Sequence, residues 1–235
     1  MPALPSRHRR VDLNADLGEE VTDDAGLLAV VTSANVACGF HAGNAAIMRL
    51  VCAEAARLGV VVGAQVSYDD RQNFGRLDLD LPADVLREQV AEQVGTLSQI
   101  AQAEGTAVRY LKPHGALYHR VARDHEQAQA VLAGSGSLPV MGMPGALVLA
   151  LAGESGRAVV HEGFPDRGYA DDGTLLPRDR PGAVLSDADE IAARAVVLAA
   201  SVDSLCVHGD SPGAVASAVA VRRALEAAGW RVAAR

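Results

Sequence analysis

The chain has 235 residues, 49% of them hydrophobic but only 3% aromatic, so its core is expected to be packed from Val, Leu, Ile and Ala, as in a parallel sheet covered by helices. The net charge of −8 argues against a nucleic-acid partner. No stretch approaches the roughly 18 uninterrupted apolar residues of a membrane span, and three scattered cysteines, Cys38, Cys52 and Cys206, exclude a disulfide framework.

In chain order, "MPALPSRHRR" carries basic residues with no apolar segment behind them, so residues 1–9 read as a loose tail without a secretory signal and the protein as cytoplasmic. From residue 10 to residue 235 a single domain is expected. "RRVDLNAD", "SANVACG" and "GVVVGAQ" read as strands. A helix follows from about Pro82 to Gly105, with Leu86, Val90, Val94, Leu97 and Ala101 on one face. "AVRYLKP", "LPVMG" and "RAVVHEG" are the next three strands. Residues from Phe164 to Gly182 show neither period and read as a long loop rich in Gly, Pro, Asp and Arg. "SLCVHGD" is a seventh strand, a helix runs from Ser211-Pro212 to Gly229, and "GWRVAA" offers an eighth strand. Repeated strand-helix units in one domain predict a closed or nearly closed α/β barrel of about seven parallel strands.

Polar residues gather where these strands end. Asn14 and Asp16 close the first, Cys38 and His41 follow the second, and Gln65 and Ser67 the third. Lys112 and His114 of "LKPHGALYH" follow the fourth, Glu162, Asp166 and Arg167 the sixth, and His208 and Asp210 the seventh. In parallel barrels the carboxyl ends of the strands form the mouth that binds ligands, so these groups should converge. Taken singly, each has an ordinary structural reading. A Pro-His-Gly turn can simply end a strand, and Asp210 can help to cap a helix.

Six blocks, "VDLNADLGE", "TSANVACGFHAGN", "GAQVSYDDRQNFGR", "LKPHGALYH", "EGFPDRGYADDGTLLPRDRPGAVL" and "LCVHGDSPGAV", resemble the LamB/YcsF family in order and over nearly the whole chain. The resemblance implies a distorted β/α barrel related to the glycoside hydrolase/deacetylase superfamily. It also implies one subunit of an ATP-dependent enzyme that opens 5-oxoproline to L-glutamate, working with two partner subunits. Three positions depart from the family's blocks: Ala15 stands for a cysteine, Gln65 for a histidine and Val66 for a proline.

A lactam amide is a poor electrophile, and coupling to ATP can convert its oxygen into a phosphorylated leaving group before water attacks. Such a site needs cations for the substrate carboxylate and for developing oxygen charge, and a base to orient water. Lys112 and Arg167 are the expected cations, Arg167 gripping a carboxylate bidentately. Asp16, His41 and His114 are base or relay candidates, which makes Asp16, His41, Lys112 and His114 the expected catalytic set. Asn14, Gln65, Glu162, Asp166, Arg167, His208 and Asp210 are the expected substrate-binding residues.

A competing reading gives Asp16, His41 and His114 to a divalent metal, although no tight ligand spacing supports it. Cys38, three residues before His41, is assigned to shaping the pocket rather than to covalent chemistry. No phosphate loop of the G-x-x-x-x-G-K-S/T type occurs, so ATP is expected to be held in another way or by a partner. Two other functional classes stay open: a metal-dependent amidohydrolase or deacetylase, and a non-catalytic paralogue that binds a small lactam or acid. Homo-oligomerisation stays open too.

Overall fold

The computed structural model describes residues 9–235 except Thr22 and Pro212. The tail expected over residues 1–9 lies outside the described residues apart from Arg9. Among the described residues eight strands form: β1 (Arg10–Leu17), β2 (Ser33–Ala37), β3 (Val61–Val66), β4 (Val108–Pro113), β5 (Val140–Gly142), β6 (Val159–Gly163), β7 (Ser204–Val207) and β8 (Arg231–Val232). The first seven are all parallel, and β1 pairs with both β2 and β7 and so closes them into a barrel. The short β8 pairs with Arg10 and Val11 at the foot of β1.

The helices cover the outside: α1 (Asp24–Leu28), α2 (Ala45–Leu58), α3 (Ala83–Ala103), α4 (Gly115–Arg120), α5 (His125–Gly134), α6 (Leu147–Glu154), α7 (Ala188–Leu198) and α8 (Ala214–Ala227). Their ends follow local chemistry. The Asn44 side chain accepts from the backbone N–H groups of Ala46 and Ile47 to start α2, and Gly59, at φ 71°, lets the chain leave it. On α3, Leu86, Val90, Leu97 and Ala101 are buried as their spacing predicts, while Val94 is half-buried and Gln93 takes a buried place instead. Gln93 earns that place by bonding both the N–H and the C=O of Ser67. The last helix starts later than its sequence suggests, at Ala214 after Gly213; Pro212 lies outside the described residues.

Strand β1 decides what fills the barrel. Side chains alternate in a strand, and here Val11, Leu13, Ala15 and Leu17 join the apolar layer under the helices. Asp12, Asn14 and Asp16 occupy the other face and make their bonds across the barrel. Asp12 accepts from Thr32, Ser33 and Ser204; Asn14 donates to Ser204; and Asn35 donates to both Asn14 and Asp16. Tyr110 fits beside them and donates to Asn35 at 2.6 Å because position 63 on β3 is glycine, where any Cβ would overlap its ring. The interior is therefore a hydrogen-bonded polar column, in contrast to the branched apolar layers usual in such barrels.

The loop expected after β6 is ordered. Antiparallel bridges join Arg167 to Val184 and Tyr169 to Leu175, folding it into a small lobe above the barrel mouth. No helix among the described residues is long and apolar enough to cross a membrane.

Candidate active site

At the carboxyl ends of β1, β4, β6 and β7, one cation sits among acceptors. Lys112 Nζ lies 3.0 Å from Asp16 Oδ1, 2.8 Å from Glu162 Oε1 and 3.2 Å from Cys206 Sγ, and its side chain is only 3% exposed. Burial works against the ammonium, but Asp16, Cys206 and Glu162 together hold its pKa well above the ordinary value. The two carboxylates respond differently. Burial pushes Asp16 up, yet Lys112, with His208 and His114 farther off, outweighs it and holds Asp16 well below the usual range. Burial raises Glu162 in spite of Lys112, and Tyr118 donates to its other oxygen at 3.1 Å. The floor thus holds a fixed cation, an ionised carboxylate and a second carboxylate that takes up a proton more readily.

Beside the floor lies a histidine cluster. The His41 and His114 rings stack with centroids 4.0 Å apart and planes 14° from parallel, and Phe74 meets both edge-on. Glu19 Oε1 lies 3.7 Å from His41 Nε2 and 3.5 Å from His114 Nδ1. The Gln65 amide nitrogen lies 3.0 Å from both Glu19 Oε1 and His114 Nδ1. Burial first, and then His41, depress the His114 pKa well below the ordinary imidazole value. Gly75 allows this packing: it adopts φ 67°, and a Cβ there would come within 2.9 Å of His41 Cβ. Above the cluster, Glu20 accepts from Arg71 and from the Gly43 N–H, fastening the loops after β1, β2 and β3 together.

On the opposite side, Asp166 accepts from the His208 backbone N–H at 2.9 Å and lies 2.9 Å from His208 Nδ1, while Phe164 stacks on the imidazole. Burial opposes the charged imidazole, but Asp166 outweighs it and raises the His208 pKa. Between these groups opens a cavity of about 380 Å³. Ligand pockets span about 300–1,000 Å³, so this one suits a small molecule. Asp16, Lys112, His114 and His208 contribute its polar lining, Phe164, Leu175 and Leu176 its apolar wall, and Arg76 and Arg178 its cationic rim. Asp210 pairs with both rim arginines.

Glu19, His41 and His114 form the donor set that comes nearest to a divalent-metal site among the described residues. All three donor atoms lie within 4.8 Å of one another. At zinc bond lengths of about 2.0–2.1 Å, tetrahedral ligands stand about 3.4 Å apart, close to the two carboxylate–imidazole distances. The rings, however, do not fit. In-plane lone pairs on nearly parallel, stacked imidazoles run side by side and do not converge on one point, and the Gln65 amide nitrogen already faces both Glu19 and His114.

The profile of the LamB/YcsF family matches residues 11–235. The chain belongs to the LamB/YcsF family. A relative in Streptomyces avermitilis, named as a 5-oxoprolinase subunit, is 53% identical over 95% of this chain and 99% of its own length. The crystal structure of the lactam utilization protein from Thermus thermophilus superposes with a TM-score of 0.90 at 36% identity, covering 96% of this chain and all of that one. A T48 deacetylase with substrate shares the barrel at a TM-score of 0.52 and 14% identity, covering 98% of this chain and 90% of that one; at this identity the likeness speaks for the fold alone.

Measured against the blocks that carry the LamB/YcsF resemblance, the structure sorts the expected site residues into four groups. Asp16, Lys112, His114, Arg167 and His208 line the cavity. Glu162 and Asp166 stand directly behind Lys112 and His208, and His41 and Gln65 behind His114. Asp210 lies on the rim. Asn14 is fully buried in the polar column, where it bonds Ser204 and Asn35, so its expected contact with a ligand is corrected to a structural role. Arg167 is corrected as well. It keeps its place in the cavity lining, but its Nε donates to Ala183 O at 2.9 Å and its Nη2 to Leu176 O at 2.7 Å, so what is corrected is the bidentate grip: two nitrogens of the fork pin the lobe. The metal set Asp16, His41 and His114 is corrected in membership, since Glu19 and not Asp16 meets the two histidines, and in fit, for the reason given above. Cys38 donates to Val36 O, and burial pushes its thiol pKa far up, consistent with a packing role.

Four residues escaped the sequence reading. Glu19 was visible as the last residue of "VDLNADLGE", and Tyr118 as a member of "LKPHGALYH". Arg76 ends the third block and Arg178 lies within the fifth, but nothing local distinguishes them from surface arginines.

Proposed function

We propose that this chain is the ring-opening subunit of an ATP-coupled 5-oxoprolinase, forming L-glutamate from 5-oxo-L-proline with partner subunits. The observation that carries the reading is the charge layout of one small cavity: cations on its rim, an apolar wall, and Lys112 beside the ionised Asp16 on its floor. The names of the 53%-identical relative and of the Thermus lactam utilization protein support it.

A flat five-membered lactam that carries a carboxylate matches this layout. Its carboxylate meets Arg178 and Arg76, and its ring lies along Phe164 and Leu175. The lactam oxygen points to Lys112, whose fixed charge stabilises the negative charge that builds there as water adds. Asp16 holds the attacking water and takes its proton. ATP supplies, when bound, the phosphoryl group that makes the lactam oxygen a better leaving group. No Gly-rich phosphate loop occurs in the sequence, so nucleotide binding is assigned to the partner subunits. The competing metal-dependent deacetylase needs imidazole lone pairs that converge, which His41 and His114 do not provide.

The test is glutamate release from 5-oxoproline by the purified chain, alone and with its partner subunits, with and without ATP. Release that needs all components and ATP supports the proposal. Robust ATP-dependent release by the chain alone overturns the division of labour, and no release from the complete set overturns the reaction.

A further inference from the structure

Behind the cavity wall, the ring-opening reading leaves three protonatable groups without a task. Glu19, His41 and His114 are all buried, and Glu19 Oε1 lies within 3.7 Å of a nitrogen on each imidazole. Among the described residues, neither ring nitrogen of His41 has a hydrogen-bond partner. Leaving a buried polar group unsatisfied destabilises a fold, so a site meant only for packing is better served by an apolar side chain at position 41. The stacked rings are not shaped to share a metal ion. Protons are what the cluster is equipped to hold.

The bond pattern fixes which nitrogen of His114 takes up a proton. His114 Nε2 lies 3.1 Å from Phe74 O, which can only accept, and this assigns the ring N–H to Nε2. His114 Nδ1 then accepts from the Gln65 amide, which also donates to Glu19, and a proton placed on Nδ1 faces the Glu19 carboxylate at 3.5 Å. A proton taken up at Nδ1 turns the ring into an imidazolium, the form that can hand a proton on. Of the three groups, His114 alone lines the cavity.

We propose that Glu19, His41 and His114 form a buried proton store that serves the cavity through His114, with Glu19 as the positioning residue that keeps the proton there. The proposal rests on the ring-opening reading and adds one step to it. When the carbon–oxygen bond to water forms, the water proton goes to Asp16. When the ring carbon–nitrogen bond breaks, its electron pair stays on nitrogen, and the store delivers the proton that nitrogen needs. The proton on Asp16 then refills the store, while the phosphoryl group that ATP would supply stays on the former lactam oxygen as an acyl phosphate, and a second water hydrolyses it to the carboxylate and inorganic phosphate. The charged groups facing the cluster are Asp16 on β1 and Arg76 on the loop after β3; Lys112 on β4 and His208 after β7 act on it through Asp16.

The experiment compares wild type with Glu19→Gln in two ways. Nuclear magnetic resonance of the full chain labelled with 15N-histidine reads tautomers and titrations without any turnover. The expected result is a neutral Nε2–H tautomer for His114 and, in Glu19→Gln, an imidazole titration displaced to lower pH by about one unit or more, as loss of an opposite charge within about 4–6 Å requires. In the reconstituted complex, the alkaline limb of kcat should move the same way and kcat should fall about a hundredfold, the lower range of general-acid catalysis. KM should not change, and Glu19→Asp should restore part of the alkaline limb. Unchanged titrations with an unchanged pH profile overturn the proposal, as does one equivalent of zinc in the wild-type chain that Glu19→Gln loses. If circular dichroism shows that Glu19→Gln does not fold, His41→Asn carries the same readouts. A displaced titration in a complex that never turns over the lactam upholds the store and overturns the reaction assigned to it.

Discussion

Replacing Lys112 with methionine removes the one cation from the cavity floor while keeping the length of the side chain. In the native chain its ammonium stands 2.8 Å from Glu162 and 3.0 Å from Asp16, and all three side chains are buried. This is not the regime of exposed ion pairs, which contribute about 0–1 kcal/mol. Removing one partner of a buried pair costs about 3–5 kcal/mol, because the remaining charge is left without compensation. At about 2–4 °C per kcal/mol for a domain of this size, the melting temperature should fall by about 6–20 °C at pH 8. The penalty should depend on pH with a definite sign. Burial already raises the pKa of Glu162 above its unfolded value, and loss of Lys112 raises it further. A carboxyl with a raised folded-state pKa stabilises the fold below its unfolded pKa of 4.5 and loses that contribution as pH rises through the folded value. The deficit of Lys112→Met relative to wild type should therefore shrink when the pH is lowered from 8 to 5. Thermal unfolding of both proteins, followed by circular dichroism at the two pH values, measures this. Equal melting temperatures at pH 8, or a deficit that grows on acidification, would refute the reasoning about the shared buried cation.

Arg178→Ala should raise KM for 5-oxoproline about 10- to 100-fold with little change in kcat, since a hydrogen bond to a charged group contributes about 1.5–3 kcal/mol; steady-state kinetics of the reconstituted complex will show a kcat effect instead if Arg178 acts on the reacting bond. His114 and His208 should give stability opposite pH limbs. The depressed pKa of His114 favours the fold fully above pH 6.5 and withdraws that support as pH falls below it, whereas the raised pKa of His208 gives support below 6.5 that is lost as pH rises through its folded value. Urea unfolding across pH 5–9 should then show His114→Gln flattening the acid limb and His208→Asn the alkaline one, and limbs unchanged in both variants would count against these assignments. Gly75→Ala should destabilise by about 1–3 kcal/mol through its left-handed backbone and its approach to His41, and an unchanged urea midpoint would show that the loop yields easily.

Much of the architecture was legible in the sequence because strand and helix signals are local. The β-branched runs place the strands, Pro82 and Gly105 bracket α3, and most of the polar residues at strand ends mark the barrel mouth, where a parallel barrel gathers the carboxyl ends of its strands. What each of those residues faces was decided by packing between segments distant in the chain. Period two turns Asn14 and Asp16 to the same side of β1, but only the closure of β1 onto β2 and β7 buries Asn14 under Ser204 and leaves Asp16 at the cavity. Arg167 and Arg178 carry the same guanidinium eleven residues apart. The fold of the lobe ties the first to backbone carbonyls and leaves the second on the rim, an outcome set by where Ala183 and Leu176 come to lie. Glu19 joins His41 and His114 for the same reason: a side chain's chemistry is written at its own position, whereas its partners are chosen by the distances that the closed barrel imposes.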